Sequence, residues 1–497
     1  MNVATILQMA AEGYPDRIAV GPRTAGIGYR RLWRLVASGA ARIDAGTEVV
    51  VFVGQSGLAF VTAFFASAAL GIPFVPLNYR LGAQQLGALL AEHENALIIA
   101  DPRQRESITD AGGWVVTTDE WLAALGDANR DLEIVEPDAP ALYLYTSGTN
   151  AAPKASVLHH RHLAAYIFSS VEFGSAEEDD AALVSVPPYH IAGVANLLSN
   201  VFSGRRVVYL PDFDAATWLA TVRAEGITQA MVVPTMLARV VEEIGAGTAD
   251  APALRSLSYG GARMHESVLR RALLAFPDVG FVNAYGLTET SSSIAVLGPD
   301  DHRAAFASPD PVLARRLSSV GRALPGVEIQ IRDDAGRPCE TGDIGDVWVR
   351  GEQVSGEYAG RGSVCDAQGW FPTRDAGWLD DDGYLFIEGR TDDTIIRGGE
   401  NIAPAEVEDV LLRHPAVLEA AAVGLPDEEW GQKVAAAVTV RPGMSIEPAE
   451  LCAWTRRHLR GSRAAELVVI RDALPRTDTG KLLRRQILAD LLETTAS

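Results

Sequence analysis

Lysine is nearly missing from this chain of 497 residues: Lys154, Lys433 and Lys481 stand alone among 43 basic residues, and the rest are arginine. Arginine and lysine differ in shape and hydration, so the few lysines mark places where a compact point charge is wanted. Cysteine is almost as scarce. Cys339, Cys365 and Cys452 are too few and too widely spaced for a disulfide framework or a metal cluster, which fits a reducing cytoplasm. Positive charge is in deficit, with a formal net charge of −21, and this argues against nucleic-acid binding, which needs a basic surface footprint. An uncharged run from Gly57 to Leu77 approaches membrane-spanning length, but Gly71, Pro73 and Pro76 break it. A buried helix of roughly four turns followed by a strand is expected there, and no membrane span. The N-terminus lacks a basic region followed by an apolar core, so no signal peptide is expected.

What is present centres on the stretch Tyr143 to Leu158, YLYTSGTNAAPKASVL. An apolar strand leads into Thr146, Ser147, Gly148 and Thr149, and Lys154 opens a second apolar run. Small residues let backbone N–H groups converge on an anion, hydroxyls add donors, and a lysine adds charge. The spacing differs from the GxxxxGK[ST] loop, because here the lysine leads into a strand-like segment.

Around this loop, helical patterns alternate with short apolar strands at Val49–Val53, Phe74–Leu77, Ala96–Ala100, Ala182–Val186, Arg206–Leu210, Gln229–Val233 and Gly280–Asn283. That alternation predicts parallel α/β sheets. Residues 299–319 are polar and proline-bearing, and a surface loop is expected there. Val327–Arg332, Asp346–Val349 and Tyr384–Ile387 predict short strands of an antiparallel or barrel-like subdomain. After Arg390 the pattern becomes helix, strand, strand, helix, strand, helix. The expected fold is α/β: a large N-terminal domain of doubly wound sheets with a small barrel-like subdomain (1–390), then a small mobile α+β domain (391–497).

Four further stretches follow in order: SYGGARM (258–264), NAYGLTET (283–290), the long block from Thr373 to Glu408, and PRTDTGKLLRR (475–485). Together with TSGTNAAPK, the chain resembles the acyl-adenylate-forming enzymes: acyl-CoA synthetases, peptide-synthetase adenylation domains and luciferases. The GGENIAPAEVE form is closer to the CoA ligases. The resemblance implies a ligase that uses ATP, Mg²⁺ and coenzyme A to turn a carboxylic acid into an acyl-adenylate and then a thioester. It implies that Gly260, Gly261 and Ala262 lie against adenine, within a nucleotide site that includes Asn283, Ala284 and Gly286, with Tyr285 stacked on the base. Thr288 would hold the α-phosphate and Glu289 the Mg²⁺, a hard cation suited to a carboxylate. Asp375 would accept both ribose hydroxyls, Arg390 would support the ribose and phosphate side, and Lys481 would bridge carboxylate and α-phosphate. Asp392 sits at the family's hinge. Rotation there would withdraw Lys481 and bring Gly398 and Gly399 toward the acyl group, where glycine admits a narrow thiol arm. His190 would gate or line the acyl pocket. Outside that resemblance, Tyr285 would pass for a core aromatic, Asp375 for a turn residue and Arg390 for a solvated charge.

The chain departs from the family in one place. The family loop reads TSGTTGxPKG; here Asn150 and Ala151 replace a threonine and a glycine, and Ala155 replaces the closing glycine. A donor is lost, and alanine stands where glycine allowed close phosphate approach. That loop serves the β- and γ-phosphates, which ATP has and acyl-AMP lacks. Weak or absent adenylation with retained thioester formation from acyl-AMP is the sharper expectation, with the adenylate made by a separate enzyme. Small residues at Ala192, Gly193, Ala284, Ser291 and Ser292 suggest a bulky or aromatic acid. Two alternatives stay open: loading of a carrier protein, although no appended carrier domain is expected after Lys481, and an adenylate-binding pseudoenzyme. A homodimer is a further open expectation.

Overall fold

The computed structural model describes every residue except 106–107, 109–112, 128–130, 137–138, 147–153, 398–399, 428–429, 478–479, 481 and 497. The chain separates into two compact units. The first comprises residues 1–317, 321–328 and 349–371; the second comprises 318–320, 329–348 and 372–497.

The first unit is built on two sheets. In one, Gly280–Leu287, Ser256–Gly260, Gln229–Val232, Ala181–Val184, Arg206–Tyr209 and Ile18–Val20 run parallel, with antiparallel strands at both edges. In the other, Leu142–Thr146, Phe74–Pro76, Val49–Val53, Ala96–Ala100 and Trp114–Thr117 are parallel, and Lys154–Leu158 and Glu357–Tyr358 extend the sheet antiparallel. Strands buried on both faces carry unbroken apolar runs, as VVVFV (49–53) and ALIIA (96–100) do. The uncharged run folds as the helix Leu58–Ala69, with Phe60, Phe64 and Phe65 wholly buried in the largest core. Gly71, at φ +69°, ends it just before Pro73. Among the described residues, no helix is long and apolar enough to cross a membrane.

Residues 299–319 depart from the expected loop, because Pro299–Ala307 is a helix and Pro311–Ala314 a short one. Proline is favourable at a helix's first position, where its missing N–H costs nothing. Asp301 accepts the Gly298 N–H at 3.3 Å, and Asp310 caps the shorter helix through Val312 N–H at 2.9 Å. The polar, proline-bearing composition was that of helix starts.

The second unit contains most of a four-stranded sheet in the order Val327–Arg332, Gly345–Gly351, Phe371–Leu379, Leu385–Arg390. A hairpin of Ile395–Arg397 and Glu400–Ile402 follows. Then come Val417–Asp427, Gly431–Val440 and Leu467–Ile470, a three-stranded sheet accompanied by the helices Pro404–Leu412, Pro448–His458 and Arg484–Ala496. Glu408, at 4% exposure, is neutralised there by the Arg484 guanidinium.

Candidate active site

In the first unit the candidate residues gather at strand ends of the larger sheet. Gly260 ends one strand and pairs with Ala284 in the next, so closely that a Cβ on Gly260 would meet the Ala284 carbonyl oxygen at 2.3 Å. Gly261 turns at φ +82°, a conformation glycine adopts without strain, and Ala262 is exposed just after it. Asn283, Ala284, Tyr285 and Gly286 lie on the Gly280–Leu287 strand, all half-buried, with a bulge between Tyr285 and Gly286. Bulges re-aim side chains near functional sites. The strand runs straight into the 3₁₀ turn Thr288–Thr290, and Ser291 and Ser292 follow at φ +58° and +126°. Backbone held in such regions marks places where the surroundings dictate geometry.

Glu289 is the chemical centre of this turn. It is buried, at 8% exposure, and no lysine, arginine or histidine among the described residues pairs with it. Its one described side-chain partner is the hydroxyl of Tyr358, which donates to Oε1 at 2.6 Å. A buried carboxylate without a counter-charge fits a hard divalent cation bound through oxygen. Among the described residues no cluster of three or more acidic, histidine or cysteine side chains forms a protein cage for a metal. Mg²⁺ held by one carboxylate together with substrate phosphates needs none.

Thr146 and Lys154 flank the expected anion loop on paired antiparallel strands, and the Thr146 hydroxyl donates to the Lys154 carbonyl at 3.3 Å. Lys154 Nζ lies 5.7 Å from the centroid of the Tyr358 ring. Ser147, Gly148 and Thr149 lie outside the described residues. His190 is the N-cap residue of the helix Ile191–Ser203 and packs its ring 4.7 Å from that of Tyr189. Gly193, expected to be small for the sake of a cavity, has a backbone reason: a Cβ there would come within 2.5 Å of the Pro187 carbonyl oxygen. Ser291 is likewise engaged, its hydroxyl donating to Gln353 O at 2.8 Å.

In the second unit, Asp375 and Arg390 are register partners on adjacent strands, and Arg390 Nη1 lies 3.1 Å from Asp375 Oδ1. The Asp375 N–H donates to Thr373 Oγ1 at 3.1 Å, while Arg390 Nη1 also reaches Thr373 O at 3.2 Å. Asp392 follows at once, in the 3₁₀ turn Thr391–Asp393, with Thr391 donating to Asp346 at 2.8 Å. Lys481, Gly398 and Gly399 lie outside the described residues. Tyr358 and Gln353 are the residues that sequence reading missed. Tyr358 stands 69 positions from Glu289, and nothing local to it signals the contact.

Glycine-pressed strand ends, a half-buried tyrosine, a lone buried carboxylate and a hydroxyl- and lysine-flanked loop are the features of a nucleotide-using enzyme with an α/β fold. The family model described as AMP-binding enzyme matches residues 7–359, and that of the AMP-binding enzyme C-terminal domain matches 406–481. The chain belongs to this acyl-adenylate-forming family, in its CoA-ligase branch. It is 34% identical to a fatty acid–acyl-carrier-protein ligase of Streptomyces coeruleorubidus, over 88% of this chain and 86% of that one. It is 31% identical to an indoleacetate–CoA ligase of Aromatoleum aromaticum, over 96% and 94%. Its fold superposes on o-succinylbenzoate CoA synthetase of Bacillus subtilis, solved with its acyl-adenylate, with a TM-score of 0.84 at 28% identity over 97% of each chain.

Proposed function

We propose that the chain is an acid–thiol ligase that makes an acyl-CoA from a bulky or aromatic carboxylic acid through an acyl-adenylate. The observation that carries this reading is Glu289, a buried carboxylate whose described partner is a neutral hydroxyl rather than a cation. In the first half-reaction a carboxylate oxygen of the acid attacks the α-phosphorus, the bond to the β-phosphate's bridging oxygen breaks, and pyrophosphate leaves. In the second, the thiolate sulfur of CoA attacks the acyl carbon, the bond to the phosphate oxygen breaks, and AMP leaves. Mg²⁺, held by Glu289, would offset the charge of the departing pyrophosphate.

The chain's own residues would divide the work as follows. Gly260, Gly261 and Ala262 give adenine a flat approach, and Tyr285 offers a stacking face. Thr288 donates to the α-phosphate. Asp375, held by Arg390, accepts from the ribose hydroxyls, because an ionised carboxylate is acceptor-only. Lys481 stabilises charge developing at the α-phosphate. Residues 391–497 would rotate about Asp392 to exchange Lys481 for Gly398 and Gly399 between the two halves. His190 borders the acyl group.

The altered loop supports a finer reading, in which thioester formation is retained and adenylation is slow, the adenylate coming from a separate enzyme. The test supplies acid, ATP, Mg²⁺ and CoA in one arm, and preformed acyl-adenylate and CoA in the other, across a panel of aromatic acids. Product in both arms identifies a complete ligase; product from the adenylate alone identifies a divided reaction. No thioester in either arm, with no adenylate binding, defeats the ligase reading. A carrier-protein acceptor merits a third arm, because one relative is named as an acyl-carrier-protein ligase.

A further inference from the structure

We infer that Tyr358 is a positioning residue that joins the phosphate lysine and the metal carboxylate into one unit, and so sets the metal dependence of ATP binding. The inference rests on the adenylate-forming reading of this site. Its ground is one side chain with two faces of contact. The hydroxyl donates to Glu289 Oε1 at 2.6 Å, and the ring lies 5.7 Å from Lys154 Nζ, within reach of a cation–π attraction.

The surrounding backbone shows that this placement is enforced. Tyr358 bridges Ser156, two residues beyond Lys154 on the strand that leaves the anion loop. The N–H groups of Ser355 and Gly356 donate to the Glu289 carbonyl at 2.9 and 3.3 Å. Gln353 Nε2 reaches Thr290 O at 2.9 Å and Ser293 O at 2.7 Å. Residues 353–358 therefore staple the Thr288–Thr290 turn to the strand carrying Lys154. The backbone segments that carry the carboxylate and the lysine are thereby tied to each other.

The chemistry follows from the donor inventory. A phenol donating to Oε1 restricts the carboxylate's rotamer and would leave Oε2 to accept a cation. A neutral donor does this without supplying the positive charge that would compete with the metal, as an arginine would. Partners that orient a ligating carboxylate typically change metal affinity by about 10–100-fold when removed.

Two substitutions separate the two contacts. Tyr358→Phe keeps the ring and removes the hydroxyl; Tyr358→Leu removes both. Mn²⁺ affinity in the presence of ATP is read by electron paramagnetic resonance, and metal-free ATP affinity by calorimetry. Tyr358→Phe is expected to weaken Mn²⁺ binding about tenfold and leave metal-free ATP binding in place. Tyr358→Leu is expected to weaken metal-free ATP binding as well, by about two- to fivefold. In a Glu289→Gln background, Tyr358→Phe should cost nothing further, which a general loss of packing would not reproduce. Thermal melting of each variant reports whether it folds.

Unchanged Mn²⁺ affinity in Tyr358→Phe, or an equal further loss on the Glu289→Gln background, overturns the inference. A wild-type ATP affinity that is the same with and without the metal ion overturns it too. Thioester formation from preformed acyl-adenylate, which involves neither β,γ-phosphates nor the metal, then judges the ligase reading separately.

Discussion

Asp375 and Arg390 meet across two antiparallel strands with Nη1 3.1 Å from Oδ1, and the carboxylate is the more deeply buried partner, its side chain 8% exposed against 32%. A buried carboxylate held in one orientation is a preorganised acceptor, and Arg390 supplies that hold while remaining partly open to solvent. Asp375→Ala should therefore raise the KM for acyl-adenylate about 100-fold, the worth of two hydrogen bonds to a charged group at about 1.5 kcal/mol each. Arg390→Met should act in the same direction more weakly and should also lower the melting temperature, because it leaves Asp375 with less compensation. Steady-state kinetics with preformed adenylate and CoA, beside a thermal melt, checks both. An Asp375→Ala enzyme with an unchanged KM would remove the ribose role.

Arg374, immediately before that carboxylate, holds φ +61° although it is not glycine. The left-handed region costs an ordinary residue about 1–2 kcal/mol, and Arg374 is exposed, so its side chain is not buried in the core. Arg374→Gly should relieve the strain. Part of the gain is offset by the greater freedom of glycine in the unfolded chain, leaving a net stabilisation of about 0.5–1 kcal/mol. Urea unfolding of the two proteins makes the comparison. A lower midpoint for the glycine variant would mean that the arginine side chain makes a stabilising contact worth more than the strain.

The altered anion loop gives a gain-of-function prediction. Asn150→Thr together with Ala151→Gly restores a hydroxyl donor and the residue type that admits close phosphate approach. If the loop limits adenylation, the double variant should raise ATP/pyrophosphate exchange about tenfold or more, since a hydrogen bond to a charged group is worth about 1.5–3 kcal/mol. Thioester formation from preformed adenylate should stay within about twofold, because that substrate has no β- or γ-phosphate. An exchange rate equal to wild type shows that the loop is a tolerated variant.

The parallel cores were legible because burial on both faces leaves continuous apolar runs such as 49–53 and 96–100, which no surface element shares. The helix Leu58–Ala69 was legible for a related reason: Gly71 and Pro73 limited an uncharged run that length alone would have misassigned. Residues 299–319 were misread because proline and aspartate serve both turns and helix starts, and only the capping bonds of Asp301 and Asp310 distinguish them. At the candidate site, the motif residues were picked out by the family resemblance, not by local pattern. The Tyr358 contact did not, because it depends on strand pairing between segments far apart in sequence. Gly193 carries a similar lesson: a small residue beside a presumed pocket proved to be fitted to a carbonyl oxygen.

Acid stability should be governed first by histidines. His160 accepts the Val3 N–H through Nδ1 at 3.1 Å, and burial, reinforced by nearby positive charge, pulls its pKa down to about 4. His162 accepts the His159 N–H at 3.3 Å, and burial, with Arg161 close by, pulls it down to about 3. His302, bonded to Tyr259 and Gly298, is lowered by burial as well. Unfolded histidine takes up its proton near pH 6.5, so below that pH the unfolded chain binds more protons than the folded one. Stability is then complete above about pH 6.5 and declines as the pH falls toward the folded values. The melting temperature should therefore drop between pH 7 and pH 5, a window above the usual range of aspartate and glutamate titration. His160→Asn keeps an acceptor near the Val3 N–H and removes the titration, so its melting temperature should fall less steeply over that window. An identical slope in the variant would assign the acid sensitivity to other groups.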